Sequence, residues 1–236
     1  MREAGRITAR ALRLVGEAVR PGATTAELDA IAEEVIRSAG AVPAFKGYHG
    51  FPGTICSSVN HQVVHGIPGD TRLREGDILS VDVGAIADGY YGDSARTFPV
   101  GEVGEVARML MDATRSALDA GIAQCVPGRK LYDISYAVQA VAEGAGFSVV
   151  REYVGHGIGR SMHEDPQLPN FGAAGQGPTL AAGMVFAIEP MVNAGAAAVR
   201  ALDDGWTVVT DDGSLSAHFE HTVAVTEDGP LVLTVE

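Results

Sequence analysis

Two stretches of this chain copy each other, and that limits what it can fold into. LREGDILSVD (residues 73–82) and LAAGMVFAIE (residues 180–189) both lead with leucine, place glycine three residues on, and close on an acid nine residues after the leucine. A second matched pair lies upstream of them. VRPGATTAELDAIAEEVIRSAGA carries Pro21-Gly22 and ends at Ala39-Gly40; CVPGRKLYDISYAVQAVAEGAGF carries Pro127-Gly128 and ends at Ala145-Gly146. Leu28, Ile31, Ala32, Val35 and Ile36 recur at helical spacing in the first, as do Ile134, Val138, Val141 and Ala142 in the second. Thr24 and Glu27 form a capping box, and Gly40 and Gly146 suit left-handed helix stops. An earlier helical stretch precedes each proline, over about 4–19 and about 105–121. Two helices followed by strands, twice in the same order, predict an α+β fold with pseudo-twofold symmetry. The expected organisation is one domain, 1–236, with pseudo-repeats of about 1–104 and 105–236.

The strands carry acids where a core strand should not. In ILSVDVGAIADGYYGDSARTF, Asp82 lies between Val81 and Val83. Asp88-Gly89 predicts a two-residue hairpin turn. That turn pairs Ala87 with Tyr90, sets Asp82 opposite Ala95, and leaves Asp93 on the same face as Asp82. Two carboxylates so placed repel unless one is protonated or a cation lies between them. The second half supplies a matching set. Glu189 lies in the apolar strand MVFAIEPM, and Glu220 in the strand-like SAHFEHTVAVT. His156 lies in VGHGIG, where the glycines are expected to turn the backbone and present the ring. His163 follows in the turn-rich SMHEDPQLPNFG, and His65 sits in VVHGIPGD. Each residue alone has an ordinary structural use. Together, four carboxylates and one imidazole can converge on one sheet face. Such an oxygen-rich set suits Mn²⁺, Fe²⁺, Co²⁺ or Zn²⁺. Five side chains hold two ions only if carboxylates bridge, at a spacing of roughly 3.5–4 Å. A pair of ions can hold a hydroxide and polarise a carbonyl.

Composition narrows the classes further. The formal net charge of −13 repels phosphate backbones, so no nucleic-acid partner is expected. No apolar run is long enough to span a membrane, and the first residues lack a signal-peptide core, so a cytoplasmic protein is expected. Cys56 and Cys125 form no CxxC pair and read as reduced thiols. There is no GxSxG elbow, and GHGIGR does not open a helix as a phosphate loop should.

The stretches YHGFPGTICSSVN, VVHGIPGD, VDVGAIADGYYGDSARTF, VGHGIGRSMHEDPQLPNF, FAIEPM, DGWTVVTDDGSLSA and FEHTVAV resemble type I methionine aminopeptidases over essentially the whole length. The resemblance implies the pita-bread fold, with helices packed against a curved antiparallel sheet. It implies an enzyme that removes the initiator methionine from nascent chains near the ribosome, by attack of a metal-bound hydroxide on the first peptide bond. By motif, the metal ligands are Asp82, Asp93, His156, Glu189 and Glu220. Asp93 and Glu220 bridge two divalent ions (Co, Mn, Fe or Zn), Asp82 completes one, and His156 with Glu189 completes the other. His65 and His163 bind the substrate around the scissile bond, and Glu189 accepts a proton from the attacking water. Tyr48, Phe51, Cys56, Met162 and Trp206 line the methionine pocket. The family is mostly monomeric, which implies a monomer. The chain departs from the family pattern at His61, where an acid is common, and at His218, where glutamine is common. Two alternatives stay open: a proline-specific (Xaa-Pro) peptidase and a non-catalytic pita-bread binding module. The first usually has an extra N-terminal domain, and the second usually lacks ligands.

Overall fold

A computed structural model describes all 236 residues. Its four helices are α1 (Arg2–Ala18), α2 (Thr25–Ser38), α3 (Glu105–Ile122) and α4 (Leu131–Gly144), two per half as the periodicity predicts. Thr24 and Glu27 close the expected capping box on α2, the Thr24 hydroxyl accepting from the Glu27 amide and Glu27 Oε2 from the Thr24 amide. On α4 only the return half of that box exists. Asp133 Oδ2 accepts from the Lys130 amide at 2.8 Å, and the Lys130 ammonium goes to Thr179 Oγ1.

The Pro-Gly turns show why the repeat has its spacing. The Gly22 amide donates to the Leu73 carbonyl at 2.8 Å, and the Gly128 amide donates to the Leu180 carbonyl at 2.9 Å. Leu73 and Leu180 return the bond to the carbonyls of Ala23 and Arg129. Each helix pair is therefore pinned to the start of its own strand region by the same two bonds.

The first half contributes β1 (Val42–Pro43), β2 (Ile55–Val59), β3 (Gln62–Val64), β4 (Ile78–Ala87) and β5 (Tyr90–Pro99). The second contributes β6 (Ser148–Val149), β7 (Gly155–Gly157), β8 (Glu164–Leu168), β9 (Val185–Ile188), β10 (Met191–Asn193), β11 (Val199–Ala201), β12 (Val208–Thr210), β13 (Ser216–His218), β14 (His221–Thr226) and β15 (Gly229–Val232). All pairings are antiparallel. In the first half β4 pairs with β5 on one side and with β1 and β2 on the other. In the second the order is β15-β14-β9-β7-β8. β3 crosses into the second half to pair with β12.

Each half has its own core. Leu28, Ile36, Leu79 and Val81 belong to one, and Leu110, Ile134, Phe186 and Val192 to the other. Burying a side chain of this kind contributes roughly 1.5–3 kcal/mol. A seam joins the two halves. The Glu220 amide donates to the Ala95 carbonyl at 2.8 Å, and a threonine clasps the opposite main chain on either side of that bond. Thr222 Oγ1 accepts from the Asp93 amide at 3.0 Å and donates to the Asp93 carbonyl at 2.8 Å. Thr97 Oγ1 accepts from the His218 amide and donates to the His218 carbonyl, both at 2.9 Å. The clasps are reciprocal, one from each half, as a pseudo-twofold axis at the seam requires.

Four local expectations need correction. Glu189 is not inside a strand: β9 ends at Ile188, because Pro190 lacks an amide proton and biases the residue before it. Glu220 likewise falls between β13 and β14, where the chain leaves one sheet to bond β5. His156 lies in a strand and not in a turn. A Cβ at Gly155 would stand 2.5 Å from the Ala187 carbonyl oxygen, and one at Gly157 would stand 2.4 Å from that of Asp165. The glycines around His156 thus permit strand crowding. The turn-rich segment after His163 is also strand, β8.

Candidate metal centre

The hairpin forms in the predicted register. Ala87 pairs with Tyr90, Asp82 with Ala95, and Gly84 with Asp93. Asp88 and Gly89 take φ of 51° and 74°, as a type I′ turn demands. Strand alternation then turns Asp82 and Asp93 to one side. The seam brings Glu220 beside them, and β7 and the end of β9 bring His156 and Glu189. All five reach one cavity of about 350 Å³.

Asp93, His156 and Glu220 are buried, and each offers a ligand atom within 4.8 Å of the other two. Asp82 Oδ1, Asp93 Oδ1 and Glu220 Oε1 are enclosed without a hydrogen-bond partner. Leaving a buried polar atom unmatched costs about 1–3 kcal/mol, and more for a charged one. Burial is the main cause that drives all four acids upward. Neighbouring charges add to it at Asp82 (Asp93 and Glu189), Glu189 (Asp93) and Glu220 (Asp93, Asp82 and Glu189). Burial lifts Asp93 to about 7 even though Asp82 and the Ser94 amide hydrogen-bond its charged form. Divalent cations would match the orphaned oxygens and offset the repulsion, so the donor set fits a metal site. The imidazole is prepared for the same task. His156 Nδ1 is 2.9 Å from the Gly157 carbonyl oxygen and so carries the proton, which leaves a lone pair on Nε2, 3.5 Å from Glu189 Oε1. Burial lowers the His156 pKa to about 4, keeping the ring neutral.

The remaining predicted residues ring the same cavity. His163 stands at its mouth, its ring 4.3 Å from that of His156, and its Nδ1 is 2.8 Å from the Tyr48 hydroxyl. Its other nitrogen is thereby free to meet a ligand. His65 has φ of 60°, and its ring lies edge-on to Tyr153 and Trp206. Burial, then the neighbouring His163, lowers its pKa to about 4. Phe51 packs edge-on against Trp206 at 5.1 Å. Cys56 and Met162 are buried in the same apolar cluster as Phe51, and Tyr48 and Trp206 pack on its edge. Trp206 is held by an Asp204 turn: one Asp204 oxygen accepts from the amides of Trp206 and Thr207.

Two lining residues, Phe45 and His49, escaped the sequence reading. Phe45 is buried in the apolar cluster, and helical or strand periodicity cannot flag it in so short a connection. His49 adjoins Tyr48 with φ of 48°, a conformation no sequence signal announced. His61 is exposed, away from this cavity. His218 is buried behind the site and not on it.

The profile of metallopeptidase family M24 matches residues 1–227. A methionine aminopeptidase of Clostridium perfringens is 55% identical over 235 residues, spanning 100% of this chain and 94% of that one. The crystal structure of a methionine aminopeptidase from Thermotoga maritima superposes with a TM-score of 0.99 at 48% identity, covering 100% of this chain and 95% of that one. A prolidase from Pyrococcus furiosus shares the fold alone, at a TM-score of 0.81 and 24% identity, and this chain covers 62% of it. The fold is therefore the pita-bread fold with two pseudo-symmetric halves, and the proline-specific alternative is not favoured. The chain belongs to metallopeptidase family M24 and, within it, to the methionine aminopeptidases, which are metal-dependent aminopeptidases.

Proposed function

We propose that this chain is a single catalytic unit, residues 1–236 with halves 1–104 and 105–236, that removes the initiator methionine from nascent proteins in the cytoplasm as a monomer near the ribosome. The observation that supports it most is the approach of Asp93, His156 and Glu220 within 4.8 Å of one another beside an apolar cleft. Asp93 and Glu220, at the seam, would be shared between two divalent ions, and Asp82 from one half and His156 with Glu189 from the other would complete their donors. Bound there, Mn²⁺, Fe²⁺, Co²⁺ or Zn²⁺ would supply Lewis acidity for water and for the scissile carbonyl. Glu189 accepts the proton of the attacking water. The Tyr48 hydroxyl fixes His163 at Nδ1, and the free nitrogen of His163 donates to the carbonyl oxygen as negative charge develops there. His65 orients the peptide from the Trp206 side. Phe51, Cys56, Met162 and Trp206 hold the methionine thioether, which sulfur and aromatic surfaces suit.

The test is turnover of the metal-free chain titrated with each of the four ions, on Met-Ala-Ser and on an Xaa-Pro dipeptide. Cleavage of the first alone is expected. A norleucine substrate should be cleaved fairly well, because a methylene-sized change in an apolar pocket is worth only about 1–3 kcal/mol. Efficient removal of a first-position lysine would refute the pocket.

A further inference from the structure

His218 is 1% exposed and does not line the catalytic cavity. Its main chain is fixed from two directions, by the Thr97 clasp and by pairing with Met191 in β10. Its Nε2 is sealed from solvent and has no hydrogen-bond partner. The carboxylate oxygen facing that nitrogen is Glu189 Oε2, at 3.8 Å. The other oxygen of the same carboxylate, Oε1, faces His156 Nε2 at 3.5 Å. Glu189 is thus bracketed by two imidazoles in different circumstances. His156 opens on the cavity with a bare lone pair, because its Nδ1 is occupied by the Gly157 carbonyl. His218 points from behind, with a nitrogen that nothing else engages.

We propose that His218 is a positioning residue for Glu189: its Nε2–H donates to Glu189 Oε2 and holds the carboxylate with Oε1 turned to the cavity. The inference rests on the reading of Glu189 as the proton acceptor. A ligand role for His218 fits less well, since it does not line the cavity that all five candidate ligands reach. A hydrogen bond needs the pair to approach to about 3 Å, a small rotation of a flexible glutamate side chain. The donor is the rigid partner, because the Thr97 clasp fixes its backbone. An anchored Oε2 leaves the carboxylate one orientation, so Oε1 meets the attacking water at a fixed place. The apolar cluster that would grip the substrate side chain lies elsewhere, around Phe51 and Met162. Loss of the anchor should therefore appear in kcat and not in KM.

The test uses the full chain loaded with zinc, which is diamagnetic. Nitrogen–proton correlation spectra should show His218 as the Nε2–H tautomer, with a slowly exchanging proton that Glu189→Ala sets free to exchange. His218→Ala should lower kcat about 10–100-fold, the usual effect of removing an outer-shell partner, with KM and zinc content unchanged. His218→Gln, which keeps an N–H donor, should recover most of that loss. An Nδ1–H tautomer in the unsubstituted protein overturns the proposal even if the alanine variant fails to fold. So does an alanine variant that loses zinc, which would make His218 a ligand, or one that keeps full kcat. A glutamine variant no better than alanine overturns it as well. Full turnover in Glu189→Gln would instead remove Glu189 as the base while leaving the hydrogen bond standing.

Discussion

In the first half both acids sit inside one hairpin of two ten-residue strands, Asp82 on β4 and Asp93 on β5. In the second, Glu189 follows the end of β9 and Glu220 precedes β14. The frames behind them are the same, down to the paired bonds that tie Gly22 to Leu73 and Gly128 to Leu180. The difference lies in how the acid is delivered. A continuous strand fixes a short Asp side chain by alternation alone. In the second half the acids lie just outside strands, and there the longer Glu side chain is used. Only the second half supplies an imidazole to the candidate ligand set, because Gly155 and Gly157 let three strands crowd around His156. A doubled scaffold thus gives an unsymmetrical donor set: two aspartates from one hairpin in the first half, and two longer glutamates with a histidine from the second.

Removing a seam acid breaks the comparison most severely. Under the proposed assignment Asp93 and Glu220 are shared by two ions, so Asp93→Ala or Glu220→Ala should abolish turnover and strip both. Asp82→Ala should then spare one ion per chain, because that assignment gives it one ion only. Metal analysis on the same samples as the activity assay decides this; two ions per chain and normal turnover in Asp93→Ala would exclude bridging. Next in size is His163→Ala. A positioned donor to a developing oxyanion is worth about 10²–10³ in turnover. The variant should keep its metals and its melting temperature, and His65→Ala should behave alike. Metal loss would make His163 a ligand, and full turnover would make it a plain turn residue.

Much of this frame was legible in the chain. Leucine-to-acid spacing and the two Pro-Gly segments gave both helix pairs and the equivalence of Asp82 with Glu189, because both are periodic features of backbone geometry. The hairpin register followed from Asp88-Gly89. What could not be read was where β9 and β14 begin and end, since Glu220 is placed by a bond to Ala95, far away in sequence. Glycines 155 and 157 misled for a related reason: the same residue type permits a turn or a close strand approach, and only the neighbours decide. His218 stood out in the sequence as a departure from the family pattern, but its orientation toward Glu189 depends on tertiary packing.

The two threonine clasps sharpen the comparison at lower cost to the fold. Thr97 and Thr222 are both buried, and each satisfies one amide and one carbonyl of the opposite strand. Thr97→Val and Thr222→Val should each destabilise by about 1–3 kcal/mol. Thermal melts should show similar losses, about 2–4 °C per kcal/mol for a chain of this size. Function should separate the two. Thr222→Val frees the main chain of Asp93 and should weaken metal retention. Thr97→Val frees His218 and should lower turnover with metals retained. Equal metal loss in both would show that the seam acts as one unit, without the division between halves.

The smallest effect is in the pH dependence of stability of the metal-free chain, where two sets of groups oppose each other. His65 and His156 are lowered to about 4 by burial, so their folded pKa lies below the unfolded value. They bind more protons unfolded, and they make stability rise with pH from about 4 through about 6.5. The four acids of the site are raised, Asp93 to about 7. They bind more protons folded, and they make stability fall as pH rises from about 4 through their folded values. The two slopes oppose each other up to about pH 7.5, where unfolded histidine is almost fully deprotonated. Between roughly pH 6.5 and pH 8, linkage gives a loss of about 0.8 kcal/mol for Asp93 alone, and His65 and His156 together return about as much. From about pH 7.5 upward only the acids remain, so the melting temperature of the metal-free chain should drop there, by about 2–4 °C per kcal/mol lost. Metal loading should remove the drop, because bound ligands are already deprotonated. Asp93→Asn should lessen it in the metal-free chain. A metal-free chain whose melting temperature rises from about pH 7.5 upward would mean that the acids are not held protonated in the fold.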